Sequence, residues 1–118
     1  MSDLYYSENG CALIQIPAPP VLVEQLNERS RMLGLTKREV FQGILRDFLR
    51  RHGDRIPLCH ATYKQHDAPK IRIWVEPAIA EPLRALAARS HVTLRAMVYT
   101  ALVMKLGNAR YGRAVAHD

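Results

Sequence analysis

Cysteine is scarce. Cys11 and Cys59 are the only two in a chain of 118 residues. Two such residues do not make a disulfide framework, and their separation matches no metal-ligand spacing. Both are expected to be free thiols, as in a reducing cytoplasm. Aromatic residues are few as well: Trp74, five Tyr and two Phe. The core is therefore expected to be mostly aliphatic. No apolar run approaches the roughly 20 residues of a membrane span. No apolar segment follows a basic start, so no secretory leader is expected. Acidic residues are outnumbered, 11 Asp and Glu against 17 Lys and Arg, for a net charge of +6. That excess favours an anionic partner, although charge says nothing about fold. Nowhere do the residues suggest a nucleophile with its base, so the chain is not expected to be an enzyme. Cys59, His60 and His66 sit near one another in sequence, but their spacing fits no standard metal site.

What is present is patterned. The stretch 70–75, Lys-Ile-Arg-Ile-Trp-Val, alternates strictly. Ile71, Ile73 and Val75 fall on one face, and Lys70, Arg72 and Trp74 on the other, which predicts a half-buried strand with a basic and aromatic outer face. Residues 12–17 predict a second short strand, with Ile14 and Ile16 inward and Leu13, Gln15 and Pro17 outward. Pro17 cannot donate to a ladder and marks a strand end. Residues 1–11 are polar and are expected to form a loose arm, with Tyr5 and Tyr6 against the body.

Helices fill the rest. Pro19-Pro20 opens one with a stripe of Leu22, Leu26, Ser30 and Leu33, and Gly34 ends it. Thr36 and Glu39 predict a capping box for a second helix that runs to about Arg51. Its face of Val40, Phe41, Ile44, Leu45, Phe48 and Leu49 is wide enough for a central helix. Residues 54–69 show no period and are expected to be a linker. A third and a fourth helix follow the strand at 70–75. Pro82 is expected to push the start of the third helix to near Ile79, and Thr93 is expected to cap the fourth without a box, because Ala96 stands where Glu39 stood.

The chain repeats itself. A shift of 57 positions places Ile14 on Ile71, Ile16 on Ile73, Pro20 on Pro77, Glu24 on Glu81 and Leu26 on Leu83. It also places Thr36 on Thr93, Arg38 on Arg95, Leu45 on Leu102 and Leu49 on Leu106, with no gap. The repeat predicts one domain over 1–118, built from a strand-helix-helix unit at 12–53, a linker at 54–69 and a second unit at 70–110. One unit alone has an unpaired strand and two helices facing nothing. Two together would pair their strands as a two-stranded antiparallel ribbon and enclose one core with four helices, a mostly α fold. The charge is unequal. Residues 1–59 hold eight Lys/Arg against seven Asp/Glu, and residues 60–118 hold nine against four.

This order of strand, helix, turn with a capping Thr, and helix resembles the ribbon-helix-helix DNA-binding fold of Arc and MetJ repressors. With both units in one chain, it is similar to the tandem members of that superfamily, the TraY-type relaxosome accessory proteins of conjugative plasmids. The resemblance covers about residues 12–53 and 70–110. It implies a bacterial cytoplasmic protein that binds double-stranded DNA with its ribbon in the major groove. No cofactor is implied. A relaxase or another DNA-transfer protein is an implied partner. The fused pair would be a monomer in solution, able to line up side by side on DNA.

The residue chemistry agrees. Lys70 and Arg72 suit guanine O6 and N7, Gln15 suits adenine N6 and N7, and Trp74 or Leu13 suits a thymine methyl. Thr36, Lys37 and Arg38, with Thr93 and Arg95, place helix N-termini beside cations, a phosphate clamp. Leu13, Gln15 and Pro17 read little, so the second strand is expected to carry most base contacts at an asymmetric site. A small repressor, often of its own promoter, is the alternative role. An antitoxin-type interaction module is disfavoured, since antitoxins of this fold carry a long extra tail and residues 108–118 are few.

Overall fold

The computed structural model describes residues 5–6, 10–56, 59–60, 63–65 and 67–107. The elements run β1 (Tyr5–Tyr6), β2 (Ala12–Pro17), α1 (Pro20–Leu33), α2 (Lys37–His52), β3 (Lys70–Val75), α3 (Pro77–Arg89) and α4 (Leu94–Leu106). The fold is mostly helical with an antiparallel sheet, and one strand-helix-helix unit follows another. The strand alternation is as expected on β2, where Ala12, Ile14 and Ile16 are buried. On β3, Ile71 and Val75 are buried and Ile73 is half-buried. The two strands pair antiparallel from Ala12 opposite Val75 to Pro17 opposite Lys70. The Ala18 N–H closes the open end onto the Pro69 carbonyl at 3.0 Å.

The sheet has one strand more than expected. Within the expected loose arm, Tyr5 and Tyr6 pair antiparallel with Leu13 and Ala12 as β1, on the free edge of β2. Two residues are too short to show a period, so alternation could not reveal them. Gly10, with φ of 80°, turns the chain just ahead of β2. Expectations for the Tyr5 and Tyr6 side chains, His66 and residues 108–118 lie outside the described residues.

The inner faces of the ribbon and helices meet in one cluster that includes Ile14, Leu22, Phe41, Leu45, Val75, Leu83, Met97 and Leu102. It is aliphatic apart from Phe41, Phe48 and Tyr99. Among the described residues no helix is long and apolar enough to cross a membrane. Neither Cys11 nor Cys59 is in a disulfide bond among the described residues. The segment between the units is anchored. The His60 N–H donates to Thr100 Oγ1 at 2.8 Å, and the Thr100 hydroxyl donates to the Ala96 carbonyl at 2.8 Å. Burial pushes the Cys59 thiol up, against an opposing hydrogen bond with Thr100.

Two helix expectations are corrected. α3 begins at Pro77 and carries Pro82 inside it. Proline there removes the N–H that would reach the Ala78 carbonyl. Ala78 and Pro82 are both exposed, so water can take that carbonyl. In α1 the buried stripe stops at Leu26, and Leu33 is exposed, in the wall of an open hollow between α1 and α4.

The turns recur at the 57-residue spacing. Leu35 N–H bonds the Ser30 carbonyl as Val92 N–H bonds that of Ala87, and Gly34 to Arg31 matches His91 to Ala88. Gly34 and His91 are both left-handed, with φ of 68° and 59°. Nothing lies within 4 Å of a Cβ built on Gly34. Gly34→Ala is thus expected to cost backbone strain alone, about 1 kcal/mol. A fall in melting temperature of about 4–8 °C would show it.

Candidate nucleic-acid interface

Three cross-strand pairs form the outer face of the ribbon: Leu13 with Trp74, Gln15 with Arg72, and Pro17 with Lys70. Cβ atoms directly opposite lie about 5 Å apart, so these six side chains form one continuous surface. Lys70 and Arg72 are exposed, Trp74 is 40% exposed, and the three β2 side chains are half-buried. β1 pairs only with Ala12 and Leu13. The remainder, Ile14–Pro17 against 70–73, is two strands wide, about 5 Å between strands. A ribbon of that width fits a major groove about 12 Å wide.

α2 packs on β3 and α4 on β2, so each unit's second helix leans on the other unit's strand. This brings Lys37, at the start of α2, to Lys70 and Arg72 around a hollow of about 210 Å³, with Asn27 and Ile73 in its wall. None of the three cations has an ion-pair partner among the described residues. Like charges gathered around one hollow are relieved when an anion enters it.

The helix starts differ. At α2 the Glu39 N–H donates to Thr36 Oγ1 at 3.0 Å, and Thr36 N–H donates to Glu39 Oε1 at 2.8 Å, the expected capping box. The box leaves the N–H groups of Lys37 and Arg38 outward but sets a carboxylate beside them. At α4 the Ala96 N–H donates to Thr93 Oγ1 at 3.1 Å, and no carboxylate stands there. Arg95 is exposed at that start. Arg38 points elsewhere than the Lys37 hollow, with Nη2 donating weakly to Cys11 Sγ at 3.5 Å. Of the residues expected to act together, Lys37, Lys70 and Arg72 converge and Gln15 faces Arg72. Thr36 spends its hydroxyl oxygen on its own helix.

Asn27 was not foreseen. Its buried Oδ1 has no hydrogen-bond partner and it lines the cationic hollow. In sequence it is one polar residue in a polar run, which carries no signal. Gln42 was missed too. It is buried, and its Oε1 accepts the Glu76 N–H at 2.7 Å, tying α2 to the end of β3.

The backbone N–H of Thr36, with its side chain, holds the Glu39 carboxyl below its ordinary range. A carboxyl whose value is depressed on folding adds stability above its unfolded value, about 4.3. That contribution disappears as pH falls through the folded value. Wild type is therefore expected to be more stable than Glu39→Gln at pH 7, and the gap should close as urea unfolding is followed from about pH 5 downwards.

Comparison with family models, curated proteins and solved structures finds no match to this chain.

Proposed function

We propose that the chain is a duplicated ribbon-helix-helix pair, a pseudo-dimer within one chain, that binds double-stranded DNA sequence-specifically with β2 and β3 in the major groove. The convergence of Lys37, at the start of α2, with Lys70 and Arg72 beside the edge of β3 carries the reading. Their positions in the other unit, 57 residues away, are Leu94, Leu13 and Gln15, none of them charged. Contact with DNA is therefore lopsided, strong on the half-site under β3 and weak on the other. Gln15 and Arg72 are themselves equivalent positions and lie opposite each other. A pseudo-two-fold axis through that pair accounts for the register, and the recurring turn hydrogen bonds agree with it.

Function here is binding without catalysis. By its resemblance to tandem TraY-type proteins, the role is that of a relaxosome accessory factor, marking or bending a plasmid transfer origin for a relaxase. Repression of a nearby promoter would use the same contact. Selection from random duplexes followed by footprinting tests the DNA reading. One chain should protect an asymmetric site, and affinity should fall with salt at a log–log slope of about −0.9 for each phosphate neutralised. A strict palindrome contacted equally in both halves would falsify the lopsided reading.

A further inference from the structure

The C-terminal half of α4 is flanked by two hollows that the ribbon does not use. Between α2 and α4, Ile44, Phe48 and Met104 floor a hollow of about 210 Å³, rimmed by Arg51, His52 and Lys105. Between α1 and α4, Met32, Leu33 and Leu106 line a larger one of about 390 Å³, rimmed by Arg29 and the same Lys105. Met32 is 78% exposed, Leu33 59% and Met104 49%. Two acids lie within this surface, and each is already paired with cations of this chain. Glu28 pairs with Arg31 at 3.1 Å. Asp47 pairs with Arg50, with Arg51 at 3.1 Å and with Lys105 at 3.8 Å. The result is an apolar, Met-bearing surface under a cationic rim. Methionine adapts to varied apolar partners.

We propose that this face docks an acidic amphipathic helix of a protein partner, its apolar side chains seated in the hollows on both sides of α4 and its carboxylates on Lys105, Arg51 and Arg29. Charge complementarity selects this occupant. Residues 108–118 carry Arg110 and Arg113 against Asp118, the same sign as the rim. A second copy brings a net charge of +6 and is repelled. Nucleic acid matches the rim, but a phosphate backbone has nothing to place on Phe48 and Met104. An amphipathic helix in an apolar groove supplies both parts. Arg51 lies about 22 Å along α2 from Thr36, so the face stays open when DNA covers the ribbon.

The probe is a synthetic Glu-Leu-Ala peptide with Leu at helical i, i+4 and i+7 spacing, titrated into the full chain labelled at its methionine methyls. Met104 and Met32 should shift and saturate, with a dissociation constant of about 10–100 µM. The methyl of Met97, fully buried, should stay in place. Replacing Arg51 and Lys105 together by alanine leaves Arg50 on Asp47, keeps the fold by circular dichroism and should weaken binding about fivefold. Met104→Asp should weaken it independently. The proposal is overturned if the peptide moves neither methyl at about 1 mM, or if a Lys-Leu-Ala peptide of the same pattern moves them equally. It is also overturned if only duplex DNA moves them, or if both shift with protein concentration alone, which would mark a face for a second copy.

Discussion

Replacing Lys70 and Arg72 together by alanine is expected to remove most sequence discrimination while the chain still binds DNA. A bidentate contact to guanine discriminates by about 1–3 kcal/mol. Losing two costs about 2–6 kcal/mol, or roughly 30-fold to 10⁴-fold in the ratio of specific to random affinity. Both side chains are exposed and lack ion-pair partners among the described residues. Exposed substitutions of this kind change stability by about 0.5 kcal/mol or less, so the fold survives the change. Lys37 and the helix N-termini remain, and they keep the general attraction to phosphate. Competition gel shifts with a selected site and a random duplex read the ratio. Paired measurements at two salt concentrations separate base contacts from phosphate contacts, because each lost phosphate contact lowers the salt slope by about 0.9. Arg50→Ala, at the far end of α2, serves as the control and should leave the ratio alone. A double variant that keeps the full ratio would mean that the ribbon is not the reader.

The two faces of the ribbon are legible in the sequence because strand alternation is a local property. The 57-residue repeat then supplies each strand with its partner. The helix starts at Thr36 and Thr93 are legible for the same reason: a cap is set by residues three apart. Other features depend on how elements meet. Lys37 reaches Lys70 and Arg72 only because α2 of one unit lies on β3 of the other. A sequence reading can place Lys37 at a helix start without showing what it faces. Gln42 and Thr100 are buried polar residues, and Asn27 holds one buried amide oxygen; their partners, or lack of them, arise from tertiary packing. Leu33 shows the converse limit. An apolar residue on a helical stripe is buried only where an element packs closely on that turn, and Leu33 instead borders the open hollow beside α4. Pro82 failed as a boundary marker because a proline on a solvent-facing turn leaves its orphaned carbonyl to water.

Phe41→Ala should test whether the two units share one core. Phe41 is fully buried on α2, in the same cluster as Ile14 and Val75 of the ribbon and Leu102 of α4. Removing a buried Phe ring costs about 3–5 kcal/mol, much of it from the cavity left behind. A domain of this size holds about 5–15 kcal/mol in total, so the variant should stay folded with little to spare. With a urea m-value near 2 kcal/mol/M, the unfolding midpoint should fall by about 2 M. Trp74, the only tryptophan, sits on the ribbon in the second unit. Its fluorescence therefore reports on the strand pair, while far-ultraviolet circular dichroism reports on the helices. If one core serves both units, a defect in the first unit's helix must loosen the second unit's strand equally. The two probes should then trace one coincident transition, as a two-state domain requires. An early loss of helix signal with Trp74 unchanged would show instead that the two strand-helix-helix units fold separately, as two small domains in contact.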